Sequence, residues 1–430
     1  MHVLRLFRIN CSYKSCFTRW MSTPKNVAIE SLPTMQQLKD KLRKSMGMSI
    51  GYKTTQEDRA HLSKYLPKAQ EDLPSRVMDD SFIAAKIPLA SDPVLSEKYM
   101  AFDGSVRIGR LLEDMDIFAV MIAHKHLYDP KLPQDVHFPQ VLVTVLVDKI
   151  EITDYVTNHQ HDIKISGHVS WAGKTSLEIV VWLEQENNNK LERITKALFV
   201  IAARDPTNTK STWVNKLLAG NEYEKQILSG GEDRKNKRKL LLDTSVSKMI
   251  PTPEEQEIIH DIHKKKLTFV PGSPMKRRDM DKTTWMSDSV ISTHIYSFPE
   301  DRNLHNTVFG GFLMRHASEI TSVLSYKYTG QYPSLRMISD IRFIKPLTID
   351  TLPAIHAFVV YTQENFLHLM VYIQKYTPET KTSDITNRFN FTYTVKSPVS
   401  QVIPLTYNEA MMYIDGRRHL LVDISHLKHT

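Results

Sequence analysis

An internal repeat limits the fold of this chain more than any single motif does. Between residues 81 and 205 the text runs strand, long helix, then several strands, and between residues 285 and 400 that order returns. In the first copy Phe82–Leu89 reads as a strand closed by Pro88 and by turn chemistry at Ser91 and Asp92. A helix over Gly109–Ala123 follows, with Leu111, Leu112, Met115, Phe118, Ala119 and Ile122 at the 3.6-residue period. Strands are expected over Val141–Ile150, Val169–Leu183 and Lys196–Arg204. The second copy offers a strand at Val290–Phe298 and a helix at Gly311–Tyr326, with Leu313, Met314, Ala317, Ile320, Thr321 and Leu324 on one side. Strands Met337–Ile344, Ile355–Tyr361, Phe366–Tyr376 and Arg388–Val395 complete it. Laid over one another, Gly109 falls on Gly311, Asp148 on Asp340, Val169 on Val359 and Phe199 on Phe389.

One long helix per copy is too few to cover both faces of a parallel sheet. The economical solution is an antiparallel sheet wrapped around that helix, an α+β unit of the hotdog kind. The chain then reads as two tandem hotdog domains, a double hotdog. The expected division is a leader over 1–22, a helical lead-in over 23–79, hotdog domains over 80–205 and 285–400, a linker over 206–284 and a tail over 401–430. The lead-in carries Leu38, Leu42 and Met46 at helical spacing. In the linker, Thr252-Pro253-Glu254-Glu255 is a capping box that opens a helix near 253–265. The basic run Arg234–Lys239 has no aromatic residues interleaved for base stacking, so it reads as a solvated linker face and not as a nucleic-acid site.

Composition narrows the function classes. Apolar residues at 41% and charged residues at 24% describe a globular chain, and no apolar run approaches the ~18 residues of a membrane span. A net charge of +8 suits an anionic partner. Part of that charge lies in the first 29 residues, where Arg5, Arg8, Lys14, Arg19 and Lys25 precede the first carboxylate, Glu30. Such an acid-free, arginine-bearing start predicts a mitochondrial transit peptide cleaved near Arg19-Trp20-Met21-Ser22, and hence a matrix protein. Cys11 and Cys16, the two cysteines of the chain, both fall in that leader. The mature protein is therefore expected to have no disulfide, thiolate metal site or cysteine nucleophile.

The chain has no Gly-x-Ser-x-Gly elbow, Walker loop or Gly-x-Gly-x-x-Gly fingerprint. The pairs His124/His126, His159/His161 and His260/His263 lack the further ligands of a zinc or iron site and read as surface histidines, so neither metal nor cofactor is expected. The informative stretch is Pro299–Met314, where a polar turn runs into Gly310-Gly311 at the opening of a buried helix. Two glycines there let a ligand approach the backbone, and the helix start presents N–H groups to it, as an oxyanion hole requires.

This Asn-rich turn followed by Phe309-Gly310-Gly311 and Met314 resembles the helix entry of hotdog acyl-CoA thioesterases. The resemblance extends to Gly109–Asp116, Ser166–Ser176, Ala202–Asp205 and Tyr413–His419, and is closest to mitochondrial double-hotdog members of that family. It implies a catalytic Asn before the double glycine of one hotdog and a catalytic carboxylate on the central helix of the other. Those positions are Asn303 and Asp116, while the opposite pair, Ala101 and Ser318, has lost both groups. One complete site and one dead site are thus expected. On its own periodicity Asp116 lies about 40° beyond Leu112, at the edge of the apolar stripe, where partial desolvation suits a general base.

Asp116 is expected to activate water or to attack directly, Asn303 to position that water, and the Gly311 N–H to hold the thioester oxygen. Glu113, Asp114 and Glu319 are neighbouring carboxylates that could substitute. Phe309 and Gly310 are expected to border the substrate, with Lys174, Thr175, Arg342 and Lys345 reaching the coenzyme A phosphates. The expected activity is acyl-CoA hydrolysis, with acyl-CoA as partner, no nucleic acid, no membrane span and a homo-oligomeric assembly of double hotdogs. A non-catalytic acyl-CoA sensor, and a hotdog hydratase using His305 or His316, are the competing readings.

Overall fold

Each copy solves the same packing problem, a single apolar helix that must bury its stripe against a sheet. The structure is a computed structural model and describes residues 28–427 apart from 48–58, 102–103, 154–156, 188–189, 244, 247, 269–275, 278–281, 299–300, 302, 304–306, 350 and 378–379. The expected leader with Cys11 and Cys16, and His305 in the helix-entry loop, lie outside the described residues.

The lead-in supplies helix α1 (Met35–Met46), which starts at a reciprocal capping box between Thr34 and Gln37. The first copy builds β1 (Ile83–Ile87), α2 (Ile108–Leu127), β2 (Val141–Ile152), β3 (Ile163–Ala172), β4 (Ser176–Asn187) and β5 (Lys190–Arg204). Helices α3 (Glu222–Asp243) and α4 (Pro253–Lys266) follow. The second copy gives β6 (Val290–His294), α5 (Gly310–Thr329), β7 (Ser334–Phe343), β8 (Pro353–Gln363), β9 (Phe366–Thr377) and β10 (Thr382–Thr394), and α6 (Tyr407–Leu427) ends the described chain.

All ten strands join in one antiparallel sheet in the order β1-β3-β4-β5-β2-β7-β10-β9-β8-β6. That order reads the same from either edge, so a pseudo-twofold axis runs through the β2–β7 seam. On the concave side α2 and α5 pack on one another. The predicted stripe of α2 is the core: Leu111, Leu112, Met115, Phe118, Ala119 and Ile122 are all buried. At the axis Glu113 of α2 meets its counterpart Arg315 of α5 in an ion pair of 3.1 Å. Opposite charges at equivalent positions favour pairing of unlike copies over pairing of like ones.

Several expectations change. Val169–Leu183 is a hairpin and not one strand, because the chain turns at Gly173–Thr175 with the Gly173 N–H on the Ser176 carbonyl at 2.8 Å. The repeat registers also shift. Strands β3 and β4 map onto β8 and β9 as expected: Val169 pairs with Ile179 as Val359 pairs with Leu369. Residues 188–189 join β4 to β5, however, whereas the longer segment 378–381 joins β9 to β10. Leu183 therefore pairs with Thr195 as Ile373 pairs with Asn387, and the counterpart of Phe199 is Phe391 and not Phe389. Likewise Thr144 pairs with Ile201 as Leu335 pairs with Tyr393. Asp148 is consequently not the copy of Asp340 but lies opposite it across the seam, between the pairs Val147–Ile341 and Lys149–Ser339.

The presumed solvated linker face is a docked helix. Arg234 and Arg238 of α3 reach Glu178 on β4 at 2.7 and 2.9 Å, and Glu178 is 1% exposed. Within the tail, α6 likewise packs over the outer face of the second copy, with Arg388 paired to Asp415 and the Thr392 hydroxyl donating to Asp423 at 2.6 Å. Glu178→Ala is expected to destabilise the protein by about 3 kcal/mol, because two guanidinium groups lose their buried partner. The midpoint of urea denaturation measures this, and an unchanged midpoint would show α3 to be held by other contacts.

Candidate active site

Helix α5 begins where the loop before it is closed by backbone bonds. The Asn303 N–H donates to the Thr307 carbonyl at 2.8 Å, and the Phe309 N–H to the Asp301 carbonyl at 3.0 Å. The first copy repeats both bonds ahead of α2, from Ala101 to Ser105 at 2.8 Å and from Arg107 to Tyr99 at 2.7 Å. Ala101 and Asn303 thus hold one position in two copies of the same loop. The Asn303 side-chain oxygen accepts the Thr307 N–H at 3.2 Å, which ties that side chain to the entry loop.

Gly310 and Gly311 then press the start of α5 onto α2. A Cβ at Gly311 would lie 2.7 Å from Glu113 Cα and 3.2 Å from Asp116 Cβ, and one at Gly310 would lie 2.8 Å from the Phe343 ring and 3.2 Å from Asp116 Oδ2. Only glycine permits this approach. It brings the Gly311 N–H to Asp116 Oδ2 at 2.8 Å, while the Thr144 hydroxyl of β2 donates to Asp116 Oδ1 at 2.9 Å.

Asp116 is 2% exposed. Burial pushes its carboxyl above the ordinary aspartate range, and the bonds from Gly311 and Thr144 offset that only in part. Among the described residues no cation pairs with it. The other three carboxylates differ in this respect. Glu113 is held by Arg110 at 2.8 Å and by Arg315, Asp114 by Lys39 at 2.7 Å and by the Tyr99 hydroxyl, and Glu319 by Arg107 at 2.5 Å. Asp116 is the carboxylate left with hydrogen-bond donors alone, poised to take a proton.

The structure brings Asp116, Gly310 and Gly311 together, with Asn303 on the adjoining loop and Phe309 as the N-cap residue of α5. Thr144 was not expected, since a lone Thr in an apolar strand carries no signal of its own. The Gly311 N–H, expected to await a thioester oxygen, is engaged by Asp116. The remaining first-turn N–H groups, those of Gly310 and Phe312, have no intrahelical carbonyl to bond, and Phe309 supplies no side-chain cap.

The expected phosphate contacts lie apart from this cluster. Lys174 and Thr175 form the β3–β4 turn, where their carbonyls accept the Val214 and Ala203 N–H groups at 3.0 Å each. Arg342 alternates with Phe343 along β7, so it points to the other face of the sheet, where it grips Asp340 at 2.7 and 2.5 Å. Lys345 is half exposed and pairs with Asp384 at 2.9 Å. One pair of presumed surface histidines is instead tucked against α2's surroundings. His126 is buried against the Asn215 carbonyl at 3.1 Å, and burial brings its imidazole down to about 4; His124, also lowered to about 4 by burial, bonds Ser45 at 2.8 Å.

At the opposite end of the seam the constellation is absent. Ser318 takes the place of Asp116 and turns its hydroxyl back onto the Arg315 carbonyl at 2.8 Å, Leu335 stands for Thr144, and Ala101 for Asn303.

No protein-family model matches the chain. It is 35% identical over 389 residues to mitochondrial acyl-coenzyme A thioesterase 9 of Mus musculus, covering 90% of this chain and 88% of that protein. It is 36% identical over 395 residues to the Bos taurus protein of the same name, covering 91% and 89%. Against mitochondrial acyl-coenzyme A thioesterase 10 of Mus musculus it is 33% identical over 389 residues, covering 90% and 88%. Among solved structures, the acyl-CoA hydrolase of Staphylococcus aureus in complex with butyryl coenzyme A matches 34% of this chain and 92% of its own, with 22% identity and a TM-score of 0.32.

Proposed function

The chain belongs to the family of the mitochondrial acyl-coenzyme A thioesterases 9 and 10, and we propose that it works through one composite site, with Asp116 of the first hotdog set against Gly311 and Asn303 of the second. It is an acyl-CoA thioester hydrolase, releasing free fatty acid and coenzyme A, and a mitochondrial protein. The observation that carries the site is the buried Asp116 carboxylate, held by the Gly311 N–H and the Thr144 hydroxyl and by no cation among the described residues.

In this reading Gly311 and Thr144 aim the carboxylate, and its unused lone pairs accept a water that Asn303 helps to position. Asp116 takes the water proton as the oxygen adds to the thioester carbonyl. The developing oxyanion lies at the start of α5, where the Gly310 and Phe312 N–H groups and the helix dipole stabilise it. Collapse of the tetrahedral intermediate breaks the C–S bond, and the proton on Asp116 passes to the departing thiolate. Phe309 and Gly310 border the reacting carbonyl. For the coenzyme A phosphates we propose Lys174 with Thr175, and Lys345, whose exposed pair with Asp384 is weak. Arg342 would first have to leave Asp340. The matrix as compartment, the domain division given above and a homo-oligomer of double hotdogs belong to the same proposal.

The test is coenzyme A release from a panel of short- to long-chain acyl-CoAs. Asn303→Ala is expected to lower kcat about 10²-fold on every substrate of the panel, with folding intact. Turnover at the parent rate in that variant would remove Asn303 from the site. Tight acyl-CoA binding with no hydrolysis by the parent protein would favour the sensor.

A further inference from the structure

The second copy repeats the framework of the active site and then fills it. Tyr393 on β10 pairs with Leu335 on β7 as Ile201 on β5 pairs with Thr144 on β2, so Tyr393 is the counterpart of the strand residue beside the catalytic cluster. Its side chain is 1% exposed. The phenol oxygen lies 2.9 Å from Thr321 Oγ1 and 3.1 Å from Ser322 Oγ, and donates to the Ser318 carbonyl at 3.2 Å. Helices α2 and α5 superpose residue for residue, Ile108 on Gly310 through Leu127 on Thr329. Ser318, Thr321 and Ser322 therefore answer to Asp116, Ala119 and Val120. Where the first copy sets Ile201 opposite Thr144, the second seats a tyrosine on hydroxyl groups that its own helix provides.

We infer that Tyr393 is a plug that closes the second, pseudo-equivalent acyl-CoA site, so that each chain takes up a single substrate molecule at Asp116. The inference rests on the composite-site reading above. Loss of a carboxylate alone, Asp116 to Ser318, would leave a pocket that still binds acyl-CoA and holds it unreacted. An aromatic ring on β10 removes the pocket as well as the chemistry. Its hydroxyl makes the closure firm: Thr321 and Ser322 keep bonds to the Ala317 and Ser318 carbonyls of their own helix, but a ligand displacing the ring would strip the phenol of three buried partners at once. In place of the Thr321 and Ser322 hydroxyls the first helix has Ala119 and Val120, so a phenol there would lack two of its three partners.

The test exchanges the two residues in the full chain. Titration with an S-alkyl coenzyme A thioether, which cannot be hydrolysed, is expected to give one equivalent per chain for the parent. Tyr393→Ile, which installs the residue of the open site, is expected to give two equivalents with no gain in turnover, since Ser318 offers no base. The reciprocal Ile201→Tyr is expected to lower kcat/KM at least about 30-fold, as overpacking at the Asp116 cluster excludes the substrate. Two equivalents in the parent would overturn the plug. So would one equivalent in folded Tyr393→Ile, or hydrolysis at the parent rate by folded Ile201→Tyr. If Tyr393→Ile stays at one equivalent while Asp116→Asn is inactive, the plug fails and the composite site stands; a parent that binds no thioether overturns both.

Discussion

Asp116→Asn is expected to lower kcat/KM by at least about 10²-fold while making the folded protein more resistant to urea at neutral pH. The amide matches the carboxylate in shape, so its oxygen can still accept the Gly311 N–H now bonded at 2.8 Å. What disappears is the group that takes the water proton. The gain in stability follows from burial. The Asp116 carboxyl is raised above its unfolded value because desolvation outweighs the two hydrogen bonds. A raised carboxyl contributes stability that is fully present below the unfolded pKa and is lost as pH rises through the folded one. At neutral pH, where the unfolded chain is ionised, the parent therefore carries a burial cost on this carboxyl that the Asn variant lacks. Activity runs the other way over the same interval, since only the ionised form is a base. The acid limb of kcat/KM should fall above the ordinary aspartate range of about 3.9. Coenzyme A release across pH, with urea midpoints on either side of that limb, measures both effects. Parent-like turnover in the variant would move the base elsewhere, first to Glu113, which burial also raises. A less stable variant would mean that the two hydrogen bonds are worth more than the burial costs.

Much of this architecture is legible in the residues because helices and strands leave periodic marks. Both long helices and the repeat are legible in this way, while the complementary pairs Asp116 with Asn303 and Ala101 with Ser318 are what the family resemblance implies. What escapes has physical reasons. Thr144 is a common strand residue within Val141–Ile152, and only the curl of β2 over α2 gives its hydroxyl a partner. Register is equally silent: two extra residues between β9 and β10 move Phe391 to the place of Phe199, and with it Tyr393 to the place of Ile201. Helix α3 looks like a linker because Gly230-Gly231 and a dense basic run weaken its amphipathic pattern. Its anchors are Glu178 and Asp148, charges on strands far away in sequence. Arg342, expected to reach a phosphate, is held by Asp340, two residues away on the same strand.

Gly311→Ala should produce the second-largest loss, and comparison with Gly109→Ala separates catalysis from packing. A methyl group at Gly311 would stand 2.7 Å from Glu113 Cα and 3.2 Å from the Glu113 carbonyl oxygen, and neither backbone atom can swing aside. Helix α5 must then retreat from α2, lengthening the bond from the Gly311 N–H to Asp116. A displacement of about 1 Å in such a cluster is worth roughly 10²-fold in rate, and the forced separation of two packed helices about 1–3 kcal/mol in stability. At the equivalent Gly109 the methyl would instead meet Arg315 Cγ at 2.9 Å and Ser318 Oγ at 3.1 Å, with the nearest backbone atom at 3.4 Å. Both side-chain contacts yield by rotation, and the site they border has lost its carboxylate. Gly109→Ala is therefore expected to keep kcat/KM within about threefold of the parent and to shift the urea midpoint less. Equal losses in the two variants would mean that both glycines serve only the helix crossing. A large loss confined to Gly311→Ala, with kcat falling more than KM rises, would tie that glycine to the aim of the Asp116 carboxylate.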